Sequence, residues 1–288
     1  MHPPEPERAA ELRARFAEEA RAERPDLSVL CLLIGAVADG TLDERGMDEA
    51  QIALDRLAGE LPHRPGGPAD WAEALATRLG GREGFRGSGP DYELLDSSLL
   101  HHVLRRRKGL PILLSVVWLE VARRAGGQVY GVALPGHFVV GFGRPPGPGD
   151  TGTGEQVLAD PFDGGRVLTR GEAGLLVAGA TGEPLDPSML APADPRDLVL
   201  RILNNIRAWA AAHPEHADVA LWALELSLLL PSHPANLRYE RARLLVRRGD
   251  FLTGAREMDA YAEVVEAVDE EAAAKVRREA RAARALLN

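Results

Sequence analysis

The sequence predicts an α+β fold dominated by helices, with a central helix packed on a small antiparallel sheet. Three observations lead there. Helical periodicity covers most of the chain up to Arg124. Short β-branched runs then cluster between Val129 and Ala159. From Pro195 to Asn288 every periodic segment is helical again, so strands and helices are segregated rather than alternating.

The elements follow in order. Pro6 to Arg24 reads as a polar helix with Leu12 and Phe16 one turn apart. Leu27 to Ala38 (LSVLCLLIGAVA) is too apolar to face water and is expected as a buried helix. Asp43 to Leu61 returns to helical spacing through Met47, Ile52, Leu54, Leu57 and Leu61. His63 to Gly67 is a loop, and Asp70 to Leu79 is a short helix for which Asp70 is a plausible N-cap. Gly80 to Asp91 is rich in glycine and is expected to be irregular.

Ser97 or Ser98 can cap a helix running to Lys108, which Gly109 stops. Pro111 opens a second helix, carried to Arg124 by Ile112, Leu113, Val116, Val117, Leu119 and Val121. Val129 to Leu134, Phe138 to Phe142 and Gln156 to Ala159 read as strands, with Gly143 to Gly154 a surface loop and Asp163-Gly164-Gly165 a hairpin turn. In the last segment, Leu203 and Leu237 recur at a spacing of 34, and Ala220 and Ala255 at 35. That period, with a turn at Gly249-Asp250-Phe251, fits one and a half to two tetratricopeptide repeats. So few repeats need a neighbouring surface to cap them. The expected division is a polar helix over 1–26, a helical subdomain over 27–80, the α+β core over 81–190 and the repeats over 195–288.

Composition narrows the function. The formal net charge is −9, a poor match to a phosphate backbone, so no nucleic-acid partner is expected. The acidic balance suits solubility and a cationic ligand or partner. The single cysteine, Cys31, allows no internal disulfide and no zinc cluster built on thiolates. Met1 to Pro25 is charged and has no apolar h-region, and no apolar run approaches about 18 residues. A cytoplasmic, bacterial-type setting without a membrane partner is the expectation.

Four pieces between Gly84 and Leu168 carry the chemistry: GFRGSGPDY (Gly84 to Tyr92), VLRRRKGLPILLSVVWLEVARRAG (Val103 to Gly126), GVALPGHFVVGF (Gly131 to Phe142) and LADPFDGGRVL (Leu158 to Leu168). In this order, followed by tetratricopeptide-like helices, they resemble the SirB-type family of transglutaminase-like proteins. The resemblance covers roughly Leu27 to Asp269. Ser97-Ser98-Leu99-Leu100-His101-His102 stands where that family suggests Asn-Ser-Tyr-Leu-Asn.

The resemblance implies a papain- or transglutaminase-like core: a cysteine at the N-terminus of a buried helix, a histidine on one strand and an aspartate on the next. A thiolate needs a helix N-terminus and an imidazolium to lower its pKa, and the aspartate fixes the imidazole tautomer. His137, after Pro135-Gly136, matches the base, and Asp160, before Pro161, matches the orienting acid. The nucleophile does not match, because Gly109-Leu110-Pro111 occupies the place of the cysteine motif. Ser115, one turn beyond Pro111, is the remaining hydroxyl, but no Gly-x-Ser-x-Gly elbow accompanies it. Cys31 reads as a packing thiol in an apolar helix.

Plainer readings stand beside these. His137 alone would pass for a satisfied core histidine, and Asp160 for a turn residue. Arg105 to Lys108 complements the negative end of a helix. His101 and His102, adjacent on a helix, diverge by about 100° and are expected not to share a metal. Glu120 is expected at a pocket rim or in an ion pair, and Trp118, Trp209 and Trp222 at packing positions. No cofactor or metal is expected. The leading reading is a non-catalytic interaction protein, with Gly109, Pro111, Gly136 and Glu120 around a vestigial or structural His137–Asp160 dyad and a protein or peptide partner in the core pocket or the repeat groove. The alternative is a hydrolase or amide-modifying enzyme using that pair with Ser115 or an activated water.

Overall fold

A computed structural model describes residues 3–63, 65–145 and 156–286. The N-terminal part is α1 (Pro6–Arg21), α2 (Leu27–Ala38), α3 (Glu44–Gly59) and α4 (Pro68–Leu75). Asp26 caps α2 by accepting the Val29 N–H, and within α2 only Val29 escapes burial, as its composition requires. Pro68 starts α4 with its preset φ. Asp70 is therefore the third helical residue rather than the N-cap, and its carboxylate reaches back to the Gly67 N–H at 2.8 Å. The expected continuation to Leu79 widens into a π-helical stretch, Ala76–Arg82.

The next helix, α5, spans Leu100–Arg106. Ser97 and Ser98 lie in a preceding 3-10 turn and do not cap it; Ser97 Oγ bonds Asp91 and accepts from Arg106. Arg107, not Gly109, ends the helix, adopting φ +58° and donating its N–H to Val103. α6 runs Pro111–Arg124, and every residue from Pro111 to Ala122 is buried.

Four short strands follow: β1 (Val129–Val132), β2 (Val139–Phe142), β3 (Val157–Asp160) and β4 (Arg166–Leu168). They form an antiparallel meander in the order β1-β2-β3-β4. The strand β4 extends the three-strand expectation, entered through Gly164 and Gly165 at φ +64° and +88°. The loop expected over Gly143 to Gly154 falls mostly outside the described residues. Val140, Phe142 and Ala159 face the α6 side of the sheet. Val132, Val139, Leu158 and Leu168 face the other side, against Ala173 and Val177 of α7 (Arg170–Thr181). Burial on both faces explains why these strands show no polar alternation.

The helices that close the chain are α8 (Pro195–Ala212), α9 (Ala217–Leu229), α10 (Asn236–Arg247), α11 (Phe251–Glu266) and α12 (Glu270–Ala285). α8 and α9 pack into the same apolar cluster as α1, α2 and α6. α10 to α12 close over a cluster of their own around Ala242, Met258 and Val276. The fold is thus helix-dominated with a small sheet. Among the described residues, no helix is long and apolar enough to cross a membrane.

Candidate functional site

His137 sits just before β2, in a turn made possible by Gly136 at φ +71°. Asp160 is the last residue of β3. The register Val140↔Ala159 brings the two ends together. His137 Nε2 lies 2.9 Å from Asp160 Oδ2, and Asp160 Oδ1 accepts the Phe162 N–H at 2.9 Å. Both carboxylate oxygens are therefore occupied, and the aspartate is buried.

The four sequence motifs meet here. The Phe162 ring stands edge-on to His137, and Tyr92 stands edge-on to Phe162. Gly87 donates its N–H to the Phe162 carbonyl at 2.9 Å. A side chain on Gly87 would collide with the Phe162 ring and approach the Gly109 carbonyl. The glycine-rich segment is thus shaped by the close approach it must make beside the dyad.

One residue that the sequence reading missed completes the turn. Arg201 of α8 donates to the carbonyls of Leu134 and His137 at 3.0 and 2.9 Å. Its partners are backbone atoms, which leave no side-chain signature in the sequence.

Pro111 is the first residue of α6. Ser115 is fully buried and directs its Oγ to the Phe138 carbonyl at 3.4 Å. Glu120 lies more than two turns beyond Pro111 along α6. It pairs with Arg123 at 2.7 Å and Arg124 at 3.5 Å, and it lines a separate cleft of about 500 Å³ with Asp26 and Tyr130. Cys31 is buried in α2, where desolvation, with Glu120 and Asp26 adding to it, pushes its thiol far above the ordinary range.

The basic run is engaged locally. Arg106 bonds Ser97, Arg107 pairs with Glu83 and lies over the Phe85 ring, and the Lys108 backbone forms a β-bridge with that of Arg86. Trp118 packs edge-on to Phe85 in the core, and Trp222 is also buried. Trp209 donates to the Glu93 carbonyl and stacks on His213 and His216.

The rings of His101 and His102 approach each other rather than diverge. Their ring centroids are 4.2 Å apart, and both Nε2 atoms face Asp39 Oδ2, at 4.0 and 3.8 Å. A 100° divergence at Cα is offset by two long side chains that lean toward the helix N-terminus and meet there. Burial is the main factor holding the His101 imidazole down at about 3, with His102 and Arg105 adding to it.

A helix-sheet core carrying a His–Asp pair, closed by helical hairpins, defines a transglutaminase-like protein with appended repeats. The chain belongs to the transglutaminase-like superfamily, whose pattern matches residues 48–204, and a tetratricopeptide repeat pattern matches residues 206–288. A UPF0162 protein of Xylella fastidiosa is 36% identical over 160 residues, 54% of each chain. F-box only protein 21 of Mus musculus is 25% identical over 167 residues, 57% of this chain and 26% of that one. The chain matches only about half the length of its bacterial relatives and less of the F-box protein. A solved structure of menin aligns with 96% of this chain and 68% of that one, at 13% identity and a TM-score of 0.44.

Proposed function

We propose that this chain is a non-catalytic transglutaminase-like protein that works as a protein- or peptide-interaction module, in a cytoplasmic setting. The observation that carries the reading is Pro111 at the start of α6, where the superfamily's chemistry needs a thiolate. The one thiol, Cys31, is buried in another helix. In this reading the His137–Asp160 pair holds the β1–β2 turn to the end of β3. The partner site is a groove of about 620 Å³ between α8, α9 and α10. Arg207, Arg243, Arg247 and Arg248 line it against a single acid, Glu240, which favours an acidic peptide segment.

A second reading, a hydrolase or amide-modifying enzyme, is favoured by the 2.9 Å His137–Asp160 bond, which suits a pair that polarises water. Ser115 would have to leave the Phe138 carbonyl to act as a nucleophile. The test uses the full chain with two probes. The unmodified protein should resist a serine-directed fluorophosphonate, and Pro111→Cys should gain electrophile reactivity that depends on His137. Fluorophosphonate labelling of the unmodified protein that Ser115→Ala abolishes would establish the enzyme instead.

A further inference from the structure

We propose that Asp39, His101 and His102 form a binding site for a divalent transition-metal ion of the zinc class, stapling the end of α2 to the start of α5. The donor set is two imidazoles and one carboxylate, which suits zinc, cobalt and nickel better than calcium or magnesium. One ligand atom from each residue lies within 4.8 Å of the others.

The cluster is built, not merely adjacent. Asp39 is buried, and its Oδ1 accepts both the N–H and the hydroxyl of Thr41, at 3.0 and 2.8 Å. That fixes the carboxylate and leaves Oδ2 turned toward the two rings. The His101 side chain is only 5% exposed, and neither of its ring nitrogens has a hydrogen-bond partner. His102 Nε2 is likewise buried and unpartnered. A buried polar atom without a partner is costly, and two imidazole Nε2 atoms, both unpartnered, converge on one free carboxylate oxygen, the arrangement a cation would satisfy.

The surroundings fit that reading. Gly35 lets the His101 ring lie against α2, since a Cβ there would sit 2.6 Å from Nδ1. Asp96 Oδ2 lies 3.8 Å from His102 Nδ1, where it can orient the ring from behind once that nitrogen carries the proton. Arg105, now 3.0 Å from the same Nδ1, must then swing to solvent. Tetrahedral metal bonds of about 2.0–2.2 Å set ligand atoms about 3.4 Å apart, so Asp39 Oδ2 and the two Nε2 atoms, now 4.0 and 3.8 Å from it, must close by about half an ångström. A cleft of about 440 Å³, lined by Thr41, Leu42, His101 and Arg105, gives an ion and a completing water their way in.

The test is zinc binding to chelator-treated full-length protein by calorimetry, with cobalt(II) absorption as a second readout. The expected result is one ion per chain and a raised melting temperature. Asp39→Asn, which preserves shape, and His102→Ala, which alters a partly exposed ring, should each weaken binding at least about tenfold, as loss of even an outer-shell partner does. Circular dichroism checks that each variant is folded. Absence of binding, or zinc bound equally well by both folded variants (as it would be at His213 and His216), overturns the proposal.

Discussion

Arg201 of α8 grips the carbonyls of Leu134 and His137, so the helix that leads into the repeats also holds the turn that presents the imidazole. The guanidinium is the only side chain donating to that turn among the hydrogen bonds of the described residues. Its planar fork suits two acceptors side by side.

Arg201→Met should therefore loosen the turn while preserving much of the side chain's packing. Two hydrogen bonds from a charged donor are lost, and two carbonyls are left to find water. A loss of about 2–4 kcal/mol in urea unfolding is expected. A stability unchanged within about 0.5 kcal/mol would show that the clamp is ornamental.

Asp160 accepts from both His137 and the Phe162 N–H. In the neutral ring the proton should sit on Nε2, a tautomer inferred from the network and readable by nitrogen-15 NMR. Asp160→Ala should cost about 2–4 kcal/mol by stranding two donors, and Asp160→Asn should cost less because its amide oxygen still accepts one of them. An Nδ1–H tautomer in the native protein would contradict this arrangement.

Cys31 should label slowly in the native protein and rapidly in denaturant, because burial raises its thiol. The sign of the pH effect follows. The unfolded thiol ionises near pH 8.5, whereas the folded one stays protonated. The contribution is full below that pH and declines as pH rises through it, with a slope that approaches about 1.4 kcal/mol per pH unit about one unit higher. The stability difference between wild type and Cys31→Ala should fall by about 1 kcal/mol from about pH 8.5 to 9.5. Parallel pH profiles for the two proteins would rule it out.

The fragment 194–288 should be weakly folded by circular dichroism. α8 and α9 contribute Leu198, Val199, Ile202, Leu203, Trp222 and Leu226 to a cluster whose other members lie mostly in α1 to α6 and the sheet. Without them those faces meet water. A fully helical fragment with cooperative melting would mean that the repeats stand alone.

Much of the fold was legible because its strongest signals are local. α2 and α6 match their expected bounds: an unbroken apolar run after Asp26 fixes one, and Pro111 with a last-turn Arg123-Arg124 fixes the other. β4 went unread because three residues carry no usable period, and α7 because its Gly- and Ala-rich sequence buries only Ala173 and Val177. The approach of His137 to Asp160 was legible through the family resemblance. Arg201 was not, since backbone acceptors have no sequence signature. The Asp39 cluster was hidden for a further reason: Asp39 ends a helix about sixty residues before the histidines, and only tertiary packing makes them neighbours.

The membership of the apolar clusters also sets a timetable for folding on the ribosome. The largest gathers residues from Leu12 to Leu230, so its first helices emerge long before their last partners are made. At roughly 5–20 residues per second, α1 and α2 wait many seconds with apolar faces uncovered. The cluster around Met258 forms from contiguous helices and can close almost as soon as it is synthesised. The nascent chain's vulnerable interval thus lies before α9 emerges, and a translational pause placed there would expose α2, the most apolar of the described helices, to aggregation or to chaperones.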